Sequence, residues 1–240
     1  MGEVKSIGTL SEKSVHRGLK NYLEPDSQKH EIKIGNYIAD IVSGNLITEI
    51  QSKNFKVIER KLAYYTSQGY TVKIVHPVIL IKYNNWVDPL TQEVLERRKA
   101  PMRTSMSDIF DELYKIREYL TNPKITFEVL GLEVEEYKYL DGYGENKKNR
   151  ATKIDKLPTS IIKGIQFGSK EQSNTGIIHF GYEQFLSEKL PKEFNSSEYS
   201  KISHCTIKTA RTTLLILTEL GIVSRLGRKN RKIIYKSNLK

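Results

Sequence analysis

The stretch that most constrains this 240-residue chain runs from Tyr37 to Lys53. Two apolar, β-branched runs, residues 37–42 and 46–50, flank the pair Gly44-Asn45. A Gly-Asn pair between such runs predicts a tight antiparallel hairpin. With Gly44 and Asn45 as the turn, Ser43 pairs with Leu46, and counting outward sets Asp40 opposite Glu49. Opposed residues share a face, with Cβ atoms about 4.5–5.5 Å apart, and like charges so placed destabilise a sheet. Such a pair needs a compensating cation or a raised pKa. A divalent ion is the natural compensator, because hard cations take carboxylate oxygens. Side chains alternate along a strand, so Gln51 joins the face of Glu49, and Lys53 has the same parity.

The flanking pattern builds a small α/β core. Thr9 to Leu23 reads as a helix, with Val15, Leu19, Tyr22 and Leu23 as its apolar stripe. Thr9 and Glu12 fit a capping box at its start, and His16 lies one turn on. His30 to Ile34 is a short strand that turns through Gly35-Asn36 into Tyr37, making a three-stranded meander. Lys53 to Gln68 is a helix with Phe55, Ile58, Leu62 and Tyr65 facing inward and Lys53, Lys56, Arg60 and Lys61 as cations. Thr71 to Val75 follows as a strand, broken by His76-Pro77. Strand, helix, strand is a crossover that sets the new strand parallel to that of Glu49.

An acid, a gap, then acid-x-Gln on the next strand resembles the PD-(D/E)xK nuclease superfamily. Asp40 matches the first acid and Glu49 the second. Gln51 stands where that family most often has the Lys that orients the attacking water. The continuation Gln51-Ser52, then Glu59-Arg60 and Tyr64, is similar to the competence-associated CoiA-like members. The likeness covers roughly Leu10 to His76. It implies an αβββαβ restriction-endonuclease-like core, DNA as substrate, and Mg²⁺, with Mn²⁺ able to substitute, held by Asp40 and Glu49. It also implies that Glu12, on the first helix, completes the metal shell. Gln51, with Lys53 assisting, would position the water.

Beyond this core, Val78 to Tyr83 reads as a strand, Trp86 to Thr91 as a turn, and Glu96 to Arg103 as a basic loop. Ser107 caps a helix to Leu120, and Ile125 to Leu140 is strand material. Residues 141–158 lose apolar periodicity, and 141–175 reads as a basic connector between domains. This sets residues 1–140 as a nuclease-like domain and 176–240 as a second, small α+β domain. The last sixty residues resemble a winged helix-turn-helix. Their helices are expected at Tyr182–Leu190, Ser196–Ile202 and Thr206–Leu220, with strands at 222–226 and 232–236 around the wing 227–231. From Ile222 onward there are seven cations and no acid. The resemblance implies base readers Lys208, Arg211 and Thr212, and phosphate contacts from Arg225, Arg228, Lys229, Arg231 and Lys232.

The net charge of +11 favours a polyanionic partner. No apolar run approaches the ~20 residues that span a bilayer, and the N-terminus has no apolar signal core. One cysteine, Cys205, excludes an internal disulfide and fits a reducing cytoplasm. The expectation is a metal-dependent endonuclease acting on double-stranded DNA, with a homodimer suiting two-strand cleavage. The alternative is a nuclease-like DNA-binding protein or transcription regulator that does not cut.

Overall fold

A computed structural model describes residues 13–142, 151–172 and 176–238. The elements run α1 (Lys13–Leu23), β1 (His30–Ile34), β2 (Tyr37–Ser43), β3 (Leu46–Ile50), α2 (Glu59–Ser67), β4 (Thr71–Val87), β5 (Val94–Lys99), α3 (Ile109–Leu113), β6 (Ile125–Tyr139), β7 (Lys153–Gln172), β8 (Gly176–Phe180), β9 (Glu193–Phe194), α4 (Ser196–Ile202), α5 (Ile207–Glu219), β10 (Val223–Lys229) and β11 (Lys232–Ser237). The protein is α/β. A mixed sheet of eight strands has the order β1-β2-β3-β4-β6-β7-β8, with β5 paired to β4, and a small second sheet has the order β10-β11-β9. Among the described residues no helix is long and apolar enough to cross a membrane.

The chain folds into two compact units, and they do not follow the 1–140, 141–175, 176–240 division. Among the described residues, one unit draws on 13–28, 79–102, 132–142 and 151–162, the other on 29–78, 103–131, 163–172 and 176–238. In the first, a buried carboxylate organises one sheet face: Glu136 takes Lys82 at 3.1 Å, Lys138 at 2.8 Å and Lys153 at 3.6 Å. In the second, Phe110, Phe127, Phe167, Tyr182 and Phe185 pack ring against ring at centroid separations of 4.8–6.4 Å. Aromatic pairs at this spacing add about 0.5–1.5 kcal/mol each beyond their buried area.

The hairpin count holds. Ser43 pairs with Leu46, Val42 with Ile47 and Ile41 with Thr48, all antiparallel. Gly35 and Gly44 both sit at φ +59°, while the asparagine after each does not have positive φ. That is the type II′ pattern, with glycine at the first central position. β3 pairs with β4 in parallel from Leu46↔Thr71 to Ile50↔Val75, as the crossover requires. The inward positions of the intervening helix, Phe55, Ile58, Leu62 and Tyr65, are all buried.

Several expectations differ from the structure. β4 runs straight through His76-Pro77 to Val87. Its ladder with β3 ends at Val75, so Pro77 removes no donor there. The first half of the basic loop, Glu96 to Lys99, belongs to β5, which pairs with β4 from Tyr83↔Lys99 to Val87↔Val94. The helix expected from Ser107 to Leu120 is split by non-helical Ile116, and its capping box is Ser105 with Asp108. Most of the expected connector is the twenty-residue strand β7. The helix expected over 182–190 is one 3-10 turn, Tyr182–Phe185, because Leu186 is already extended. Tyr22, placed on the apolar stripe of α1, is 67% exposed.

The C-terminal helices are packed into the second unit. Ser107 and Tyr199 share a buried hydroxyl contact of 3.0 Å, Ser105 donates to the Ser203 carbonyl at 2.6 Å, and Thr209 donates to Asp111 at 2.8 Å. α4 has a capping box of Asn195 with Glu198, and Thr206 caps α5.

Candidate active site and nucleic-acid interface

The β2–β3 ladder ends at Ile41↔Thr48, and one further step of that register sets Asp40 opposite Glu49. Glu49 is only 2% exposed. Burial, reinforced by the Asp40 charge, pushes its carboxyl up to about 7. Asp40 is tied into the hairpin, its Oδ2 accepting the Ile50 amide at 2.8 Å.

The counter-charge comes from α2. Lys61 Nζ donates to both Glu49 oxygens at 3.0 and 3.1 Å, and to the Ile38 carbonyl at 2.7 Å. One turn later Tyr65 donates to Glu49 Oε1 at 3.3 Å, and burial together with the Glu49 charge raises the Tyr65 hydroxyl pKa. Lys61 and Tyr65 are i, i+4 on one helix face, and Leu62 and Ile58 anchor that helix in the core. Residue parity had pointed to Lys53 as the amine. The strand ends at Ile50, Asn54 turns the backbone through φ 57°, and a 3-10 helix begins at Phe55. Parity therefore does not carry beyond Gln51, and Lys53 is exposed.

Gln51 is fixed by its backbone. Its amide donates to the Val75 carbonyl at 2.8 Å, and its carbonyl meets His76 Nδ1 at 2.8 Å. Burial lowers the pKa of His76, which favours the neutral ring. The Gln51 carboxamide nitrogen donates to the Lys53 carbonyl. Among the described residues no group of three or more His, Cys, Asp and Glu side chains gathers; Asp40 and Glu49 are a pair. Glu12 lies outside the described residues, and His16 is half-buried on α1. The β1–β2 register also sets Glu31 across from Asp40, at φ 53°. Left-handed backbone costs a non-glycine residue about 1–2 kcal/mol, and such strain clusters at functional sites.

A second constellation lies at the C-terminal end. Lys208 and Arg211 are exposed on α5, and Thr212 is half-exposed with its hydroxyl donating to the Lys208 carbonyl at 3.2 Å. Arg225, Arg228 and Lys229 on β10 and Lys232 on β11 are all exposed. The hairpin closes tightly, Lys229 facing Lys232 across Asn230-Arg231. Both turn residues have positive φ, 49° and 63°, the type I′ geometry that favours Asn-Gly. Arg231 thus stands where glycine is cheapest. Helix and hairpin cations converge: burial raises the Tyr235 pKa, and Arg225 and Arg211 both act against it.

The comparisons bear on family and not on chemistry. A relative from Treponema pallidum (strain Nichols), an uncharacterized protein, is 24% identical over 237 residues, covering 96% of this chain and 87% of its own length. No solved structure matches the chain. The family model for a domain of unknown function, DUF8091, matches residues 13–168. That span is well over half of the protein and contains Asp40, Glu49 and Lys61, so the chain belongs to the DUF8091 family.

Proposed function

We propose that this protein is a metal-dependent DNA endonuclease, with an αβββαβ restriction-endonuclease-like core and a winged-helix-like C-terminal region that anchors DNA. The observation that carries it is the opposed pair Asp40 and Glu49 with the Lys61 amine on Glu49. The pair suits a divalent cation: it is all oxygen, and burial beside Asp40 leaves Glu49 with a proton affinity that more positive charge would relieve. Asp40 and Glu49 would hold the ion. Bound there, Mg²⁺ would polarise the scissile phosphate and lower the pKa of an attacking water.

The chain's own residues supply the rest. Lys61 replaces the strand amine that Gln51 lacks, balancing the carboxylates and offering positive charge to the phosphate as negative charge builds. The Gln51 side-chain amide oxygen can accept a hydrogen bond from a water and so aim it, while its backbone is pinned by Val75 and His76. Lys208 and Arg211 on α5 would enter the major groove. The hairpin cations would contact phosphates, which fixes position without reading sequence.

A second reading is a DNA-binding protein that does not cut. It is favoured by the internal satisfaction of the pair, with Lys61 on both Glu49 oxygens and the Ile50 amide on Asp40. Thermal unfolding with added Mn²⁺ separates the two, because an ion that binds only the folded state raises the melting temperature by mass action. The nuclease reading expects a rise that saturates with Mn²⁺ and vanishes in Asp40→Ala. No rise in the parent protein favours the second reading.

Arg231→Gly should move stability and affinity in opposite directions. Relief of the left-handed backbone should add about 1 kcal/mol. Loss of one phosphate contact should shrink the slope of log K against log salt by roughly 0.9. Urea unfolding and anisotropy in a salt series measure the two. An unchanged slope would remove Arg231 from the interface.

A further inference from the structure

We propose that the groove between the β1–β2 hairpin and α2 binds an unpaired nucleotide, so that the preferred substrate is DNA with a single-stranded end or flap. This rests on the nuclease reading above and specifies its substrate. The groove is an open cleft of about 450 Å³, and its lining includes Lys33, Val42, Tyr64, Gln68 and Tyr70. That volume lies in the ~300–1,000 Å³ range of ligand pockets.

Its position follows from register. Lys33 pairs with Ile38, and Ile38, Asp40 and Val42 alternate onto one face of β2; Val42 pairs with Ile47, which shares its face of β3 with Glu49. The groove therefore adjoins the sheet face that carries the two acids. Its wall is the same helix that supplies Lys61 and Tyr65: Tyr64 lies on α2, and Gln68 caps its C-terminal end one turn later.

Its chemistry suits a base. Tyr64 and Tyr70 offer half-buried rings, Val42 adds apolar lining, Gln68 an amide for a base edge, and exposed Lys33 a charge for the phosphate. Tyr64 is held in place. Tyr37 packs on it at 5.4 Å, and its hydroxyl lies over Gly35, where a Cβ would stand 2.1 Å away. Only a residue without Cβ fits there, so the turn and the ring are built against each other. A base inside a duplex has both faces stacked already. An unpaired base has a face to give, and aromatic side chains hold such bases largely without regard to sequence.

The test uses the full chain in EDTA with a duplex carrying a short 3′ overhang, 2-aminopurine in the overhang, and the blunt duplex as control. Stacking quenches 2-aminopurine. The parent protein should quench it and prefer the overhang substrate. Tyr64→Leu should lose the quenching and weaken overhang binding about tenfold, with blunt-duplex binding unchanged. Tyr64→Phe, which keeps the ring, should restore both, and Lys33→Met should weaken overhang binding without abolishing quenching. Melting temperatures identify any variant that fails to fold, and the Lys33 variant then carries the test. Equal affinity for blunt and overhang DNA, or quenching unaffected by Tyr64→Leu, overturns the proposal. Cleavage in Mg²⁺ is scored separately. Cleavage without quenching rejects the groove and keeps the nuclease; quenching without cleavage does the reverse.

Discussion

Glu49→Gln should give a protein that is more stable at pH 8 and does not cut DNA. The Glu49 carboxyl ionises near pH 7 in the folded chain, against an ordinary value of 4.5. Below pH 4.5 it is protonated in both states and costs nothing. As pH rises from 4.5 to 7 the unfolded chain gives up the proton first, so stability falls; above 7 the loss is complete, at about 3 kcal/mol. That figure already includes the attraction of Lys61. Glutamine keeps the shape and the acceptor for Lys61 and Tyr65 but carries no charge. Its unfolding free energy at pH 8 should rise by up to about 3 kcal/mol, and the slope between pH 4.5 and 7 should flatten. Hydrolysis should fall by at least ~10²–10³-fold, the scale of losing one electrostatic stabiliser of a reacting centre. Urea titrations from pH 4 to 9 measure the first effect. A variant that is less stable at pH 8, with the parent's pH slope, would mean that Glu49 is not the strained group.

Lys61→Met should do the opposite to stability and the same to activity. Removing one partner of a buried ion pair leaves an uncompensated charge and costs about 3–5 kcal/mol. The Lys61 side chain is 25% exposed, so the lower end of that range is expected. The loss should appear at pH 8 and largely disappear at pH 5, where Glu49 takes up a proton and needs no partner. Cleavage should fall ~10²-fold or more, and Lys61→Arg should restore part of it. At pH 8 Lys61→Met should cost far less in the Glu49→Gln background than in the parent, a coupling that only a direct pair produces. If Lys61→Met costs the same in both backgrounds, the contact does not matter energetically.

The hairpin and its acids were legible because register is arithmetic. Once Gly44-Asn45 is the turn, the opposition of Asp40 and Glu49 follows, and burial of β3 raises the Glu49 pKa. Lys61 was not legible by that route. It reaches Glu49 from a different element, and only its i, i+4 spacing with Tyr65, four residues along a helix with a known inward face, marked it. The parity argument does not reach Lys53, because the strand ends at Ile50 and Asn54 turns the chain. β7 went unseen for a different reason: many of its residues are exposed, so it lacks the alternation that marks a half-buried strand. Backbone pairing holds it, and pairing leaves little trace in side-chain pattern. Packing of Tyr199 and Thr209 onto the α3 segment is likewise a long-range contact, and it ties the C-terminal helices into the unit that holds the acids.

Incubation of supercoiled plasmid with the full chain, in Mg²⁺ and separately in Mn²⁺, tests the central claim most directly, with Asp40→Asn alongside. That substitution removes one charge of the pair and little volume. The account predicts nicked and linear products from the parent protein, none in EDTA, and none from the variant, whose DNA affinity stays within about twofold. Intact plasmid under every metal condition, or equal cleavage by parent and Asp40→Asn, would contradict it.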